Sequence, residues 1–193
     1  MPNREPTETT NLDTIYGSEA VPWSRPGEHL AAGALGPDAR FFLGTVRPDG
    51  RPHAAGIGAA WYDGGLYFQC GPNTRKARSP GGLHAERGPG ALRGNLAVNA
   101  ACTMSGCVPG MDLVFEGEAR RVTDAPTLEA VAALYREGGW PVQVDGDAFK
   151  APYSAPSAGP PPWHLFRLQT HTVFGVATAE PYGATRWVRC RAP

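Results

Sequence analysis

Apolar runs separated by polar turn signals stand out most clearly between Phe41 and Cys70. Phe41–Val46 is an apolar run, Pro48-Asp49-Gly50 a turn, and Pro52–Trp61 a second run. Tyr62-Asp63-Gly64-Gly65 is a second turn and Leu66–Cys70 a third run. Proline presets a turn's backbone angle and glycine accepts its left-handed corner, so this stretch predicts three strands in a meander. Two more strands are expected at Ala101–Ser105 and Asp112–Val122. The latter sets Leu113, Phe115 and Gly117 against Val114, Glu116 and Glu118. Closing strands are expected at Trp163–Leu168 and Thr172–Ala177.

Helical spacing is rarer. After Asp124, a residue type that caps helix starts, and Pro126, which suits a first turn, a helix is expected to Glu137. Its buried stripe is Leu128, Val131, Ala132, Leu134 and Tyr135, and Gly138-Gly139 stops it. A short helix is expected at Pro26–Leu35. Residues 1–25 show little periodicity and read as an extended arm before a single domain spanning 26–193. Residues 79–94, SPGGLHAERGPGALRG, have neither period. Excising them joins Arg78 to Asn95 as TRKARNLAVNA, a credible helix, so they read as an insertion in a helix-forming segment. Residues 140–162 read as a long loop. The sum is a mainly β protein of six or seven antiparallel strands with a few short helices, closed or nearly closed into a barrel.

Composition narrows the partners. Lys+Arg and Asp+Glu both number 18, so no global field draws nucleic acid or an anionic membrane. The opening MPNREPTETTNLD lacks a signal peptide's apolar core. No apolar run approaches the ~20 residues that span a bilayer. The expected location is the cytoplasm. Cys70, Cys102, Cys107 and Cys190 form no C-x-x-C pair and read as reduced thiols, Cys70 and Cys102 in the core. His29, His53, His84, His164 and His171 show no paired ligand spacing, so no metal site is predicted.

One loop carries candidate chemistry. Gly71-Pro72-Asn73-Thr74-Arg75-Lys76-Ala77-Arg78 follows the third strand, and the chain has only one other lysine, Lys150. A hydroxyl, a forked guanidinium and an ammonium together suit a phosphate. The preceding strand is almost bare, with Ala54, Ala55, Gly56, Gly58, Ala59 and Ala60, so a flat ring can approach its backbone. The same smallness would also let the strand pack under a helix. No nucleophile elbow or phosphate-binding glycine loop occurs, and the scattered acids read as solvated. A cofactor site without an acid–base set fits redox chemistry, in which the cofactor performs the hard step.

The segments RPDGRPHAAGIGAAWYDGGLYFQCGPNTRKAR, NLAVNAACTMSG, DLVFEGEARRVTD and VFGVATAEPYGATRW resemble the pyridoxamine 5'-phosphate oxidase-like FMN-binding split-barrel superfamily. They are most similar to its actinobacterial flavin/deazaflavin oxidoreductases. The resemblance spans about Trp23 to Trp187. It implies a homodimeric antiparallel split β-barrel with cofactor at the subunit interface. It also implies a ring beside His53, Ala54, Ala55 and Gly56 and the strand bearing Phe68 and Gln69. Thr74, Arg75, Lys76 and Arg78 are implied around the phosphate, with Trp187 closing the groove from the other subunit. Tyr153 and Trp163, from the 140–162 region and its end, are expected to line the substrate side. The arginine-and-histidine substrate signature of true pyridoxamine phosphate oxidases is absent from TRWVRCRAP, so vitamin B6 synthesis is not expected. The expected activity is hydride transfer from reduced deazaflavin coenzyme F-420 to a small conjugated substrate. An FMN-dependent oxidase or reductase is the alternative. A further alternative is a non-catalytic flavin, deazaflavin or haem binder, with His53, His84, His164 or His171 as axial ligands.

Overall fold

The computed structural model of the chain describes residues 5–32, 40–77, 94–155 and 158–189. In order they form β1 (Glu8–Asn11), α1 (Ser24–Ala31), β2 (Phe41–Val46), β3 (Pro52–Ile57), β4 (Ala59–Tyr62) and β5 (Gly65–Cys70). Then come α2 (Asn95–Val98), β6 (Ala101–Val108), β7 (Met111–Val122) and α3 (Ala125–Glu137). The chain ends in β8 (Gln143–Asp145), β9 (Ala148–Lys150), β10 (His164–Ala177) and β11 (Ala184–Val188). The fold is mainly β and the paired strands are antiparallel.

The main sheet runs β1-β11-β10-β7-β6-β2-β3, and a branch leaves β10 through β5 to β4. Gly58 alone separates β3 from β4, so the branch returns to the sheet's end and closes a split barrel. The expected single strand Pro52–Trp61 is therefore two. Its first half pairs with β2, from Val46↔Pro52 to Phe41↔Ile57. Its second half pairs with β5, from Ala59↔Phe68 to Tyr62↔Gly65. A residue without a Cβ lets the strand bend where the barrel turns its corner. Both turns of the meander form, with Gly50 at φ 83°, Asp63 at 44° and Gly64 at 70°.

The barrel interior holds Phe41, Leu43, Leu66, Phe68, Met104, Leu113, Phe115, Leu168, Val173 and Trp187. A second cluster lies outside β4, β5 and the start of β10. There α3 packs Leu128, Val131, Ala132 and Tyr135 onto Ala60, Tyr67 and Leu165, with Phe149 and Trp163. The Asp124 carboxylate accepts the Thr127 N–H at 3.0 Å, capping α3 as its sequence predicts. Leu134 is only partly buried.

Other expectations are corrected. The two closing strands are one, β10, with a register shift between Thr170 and Thr172. Residues 140–162 are not all loop: β8 and β9 form a hairpin around Gly146, and Phe149 bridges to Trp163. The N-terminal arm adds β1 to the sheet edge, Glu8↔Val188 to Asn11↔Thr185. Asp13 organises the next loop by accepting N–H bonds from Ile15, Tyr16 and Ser18, and the Ser18 side chain together with these N–H groups holds its carboxyl far below the usual range. The helix near residue 30 is Ser24–Ala31.

On either side of the 79–94 segment the backbone is joined by hydrogen bonds. Asn95 N–H donates to Arg75 O at 2.9 Å and Leu96 N–H to Lys76 O at 3.0 Å. With 79–94 counted out, each bond would link a residue to the fourth before it, the repeat of an α-helix. No helix among the described residues is long and apolar enough to cross a membrane.

Candidate functional site

β3 is hydrogen-bonded only on its β2 side. Its other edge is open, because the chain leaves toward β5 after Gly58. None of its residues is buried. Alternation puts His53, Ala55 and Ile57 on one face and Ala54 and Gly56 on the other. A Cβ built on Gly56 or Gly58 would meet no described atom within 4 Å. Packing among the described residues does not require these residues to be small. Gly44 on β2 differs, since a Cβ there would collide with the Thr103 hydroxyl.

At one end of this open edge three cations gather around His53. Burial pushes the imidazole pKa below its ordinary value, and the charges of Arg47, Arg75 and Lys76 push the same way. Arg47 follows β2, while Arg75 and Lys76 lie in the loop after β5. That loop is fixed by Gly71 O, which accepts the Thr74 N–H at 3.0 Å and its hydroxyl at 2.8 Å. The Thr74 proton expected for a phosphate is therefore already committed to Gly71. The ion pairs among the described residues use other basic groups. Lys76 is only 7% exposed and has no carboxylate partner among them. The buried Arg47 Nε has no hydrogen-bond partner among the described residues. Buried unpaired positive charge is costly, and an anion seated there would relieve it.

A polar bridge ties the cluster to α2. The Asn95 amide donates to Thr45 Oγ1 at 2.8 Å, and that hydroxyl donates to His53 O at 3.3 Å. Thr45 Oγ1 also lies 3.5 Å from His53 Nδ1. Thr45 and Asn95 are both buried. Sequence reasoning passed over Arg47, Thr45 and Asn95. The arginine flanking the Pro-Asp-Gly turn was the one legible signal.

The structure thus groups His53, Arg75 and Lys76, with Ala54, Ala55 and Gly56 along the adjoining strand. Gln69 follows the last β5 residue paired with β4, and its buried Oε1 lacks a partner among the described residues. Phe68 is fully buried, stacks on Phe166 at 5.6 Å and is paired with Ala59 on one side and Phe166 on the other, so it offers a ligand neither side chain nor backbone. Trp187 stands apart. It is 0% exposed inside the barrel, donates to Val21 O at 3.2 Å and packs edge-on against Trp23 at 5.4 Å. It offers no surface to a cofactor. Trp163 is likewise buried, donating to Gly159 O at 3.1 Å, whereas Tyr153 beside it is 43% exposed. A Cβ on Gly71 would collide with Ala158 O, so Ala158 abuts the start of the cationic loop. Arg78 and His84 lie outside the described residues.

The thiols of Cys70 and Cys102 are both pushed up to about 12 by burial, which leaves them protonated and unreactive. No cluster of three metal-ligating side chains occurs among the described residues.

The pyridoxamine 5'-phosphate oxidase family model matches residues 34–177. No curated protein matches the chain. Solved structures similar to it include a nimC/nimA family protein from Clostridium acetobutylicum, 13% identical, covering 84% of this chain and 91% of that one with a TM-score of 0.50. Another is a pyridoxamine 5'-phosphate oxidase-related, FMN binding protein from Nostoc punctiforme, at 17% identity, 86% and 90% coverage and TM-score 0.49. A third is an F420 reductase, at 20% identity, 72% and 92% coverage and TM-score 0.46. At such identities the likeness concerns the fold alone.

Proposed function

This chain belongs to the pyridoxamine 5'-phosphate oxidase family, and on that premise we propose that it is an oxidoreductase holding a phosphorylated flavin or deazaflavin. Coenzyme F-420 is the specific proposal. It rests on the sequence resemblance to actinobacterial flavin/deazaflavin oxidoreductases, and FMN is the alternative. The observation that carries the cofactor reading is the buried Lys76, without a carboxylate partner among the described residues, beside Arg47, Arg75 and His53 at the end of an open strand edge rich in Ala and Gly.

In this reading Arg75 and Lys76 hold the phosphate, and Arg47 Nε supplies a further donor. Ala54, Ala55 and Gly56 leave room for the ring, and the free N–H and C=O groups of β3 face its edge. Gln69 Oε1 accepts a hydrogen bond from the ring or its side chain. A reduced deazaflavin supplies a hydride to an electron-poor double bond. The chain's own share is orientation and exclusion of water. Tyr153 offers the exposed aromatic surface for a small conjugated substrate. A second copy of the chain is proposed to cover the outer face of β2, β3, β6 and β7. There Phe42 is 49% exposed and lies in one row with Gly56, Ser105, Val114 and Phe174.

Fluorescence titration with F-420 and with FMN tests the reading. Lys76→Ala should weaken whichever binds by about 1.5–3 kcal/mol, tenfold or more in Kd. Arg75→Ala, at an exposed residue, checks that the loss is not one of folding. Unchanged affinity in both variants, or no binding of either cofactor below the high micromolar range, would remove the proposal. Turnover with neither cofactor across a broad acceptor panel, despite binding, would favour a non-catalytic binding protein.

A further inference from the structure

Resting on the reading of Arg47, Arg75 and Lys76 as an anion site, we propose that His53 is its fourth, switchable cation. The site then takes up a doubly charged oxyanion together with one proton, which the His53 imidazole accepts.

The geometry assigns the nitrogen. Thr45 pairs with His53 across β2 and β3. Its hydroxyl proton points to His53 O, and one lone pair takes the Asn95 amide proton at 2.8 Å. The other lone pair faces Nδ1 at 3.5 Å, so the proposal places the hydrogen of the neutral ring on Nδ1, where that lone pair can accept it. Nε2 has no hydrogen-bond partner among the described residues, and it is the atom left to receive a second proton.

The surroundings keep that proton off while the site is empty. Arg47 acts from the hairpin, and Arg75 and Lys76 from the loop after β5. β2 contributes only the Thr45 hydroxyl and α2 only the Asn95 amide. No carboxylate among the described residues acts on His53. The nearby turn's Asp49 is tied to Arg51 at 2.7 Å, with its carboxyl drawn down to about 2. Burial and three positive charges thus disfavour the imidazolium. A doubly charged oxyanion cancels two of those charges and gives Nε2–H an acceptor, so the imidazolium becomes the favoured form. Binding and protonation then reinforce each other by linkage. Affinity rises as pH falls, by up to about tenfold per pH unit between the free and bound pKa values of His53.

Sulfate is the probe, because it keeps both charges throughout the working range and so contributes no titration of its own. The full chain is titrated calorimetrically with sodium sulfate from pH 6 to about 8.5 at fixed ionic strength, in buffers of differing ionisation heat. Histidine-labelled protein is followed by NMR in parallel, the His53 signal being assigned by its loss in His53→Asn. The expected result is uptake of up to one proton per sulfate, weakening affinity with rising pH, and a His53 titration moved upward by sulfate. In folded His53→Asn, with His53→Gln as the second variant, sulfate binds more weakly and without pH dependence. Wild-type binding with no proton uptake and an unmoved His53 signal would overturn the proposal and leave the anion site standing. Proton uptake persisting in both variants would overturn it too, assigning the proton elsewhere. If sulfate does not bind and Lys76→Ala leaves F-420 and FMN affinities unchanged, the anion-site reading fails and the proposal with it.

Discussion

β3 and β4 are two halves of one small-residue stretch, divided at Gly58, and they meet opposite surroundings. Ala60 of β4 is buried beneath α3, whose Tyr135 hydroxyl reaches Gly58 O at 3.5 Å. Ala54 and Gly56 of β3 are exposed, and an added Cβ at Gly56 would touch nothing described. Smallness under α3 is explained by packing inside the chain. Smallness along β3 is not explained by packing among the described residues, and the proposed function accounts for it by the ring of an anionic ligand.

The strongest way to break this comparison is to add the same bulk to both halves. Ala60→Leu should cost about 1–3 kcal/mol by overpacking against α3. Gly56→Leu should leave stability within about 0.5 kcal/mol while raising cofactor Kd at least tenfold. Urea unfolding and fluorescence titration of the two variants give the answer, and equal stability losses would end the distinction.

The helices beside the two halves also differ. α3 is continuous and capped, whereas the turn holding Arg75 and Lys76 meets α2 through two backbone bonds between residues far apart in sequence. Deleting residues 79–94 should make one covalent helix, with a gain of up to about 2 kcal/mol from the shorter loop closure. Sulfate and cofactor binding should persist. A deletion variant that unfolds, or keeps its fold but loses the anion, would show that the segment belongs to the site.

The smallest effect on the isolated chain is expected at Phe42, on the bare side. Phe42→Glu should change unfolding free energy by about 0.5 kcal/mol or less, yet convert a dimer to a monomer in light scattering. A wild-type chain that is already monomeric would mean that no second copy covers this face.

Much of the fold was legible because its signals are local. The Pro48-Asp49-Gly50 turn, the alternation of β7 and the Asp124 cap each lie within a few residues. The break at Gly58 was not, since AAGIGAA has too little contrast for alternation to be read. Pairing of β4 with β5 rather than β2 is a tertiary choice. The hairpin at Val144–Phe149 carries an Asp-Gly-Asp turn signal that the surrounding prolines obscured. Half of the site was readable from the Arg75–Lys76 loop. Arg47, Thr45 and Asn95 come together only through β2 and α2, and Trp187 looked available until barrel closure enclosed it.

The free edge of β3 has a consequence for handling the protein. Unpaired N–H and C=O groups invite another extended chain and so seed aggregation. Pro52 removes one donor at the start of this edge, and the cations gathered at that end repel a second copy approaching edge to edge. Oxyanions or high salt would mask that repulsion. A ligand lying along the edge would instead occupy its hydrogen-bonding groups, so the cofactor-loaded protein should withstand concentration and storage better than the empty one.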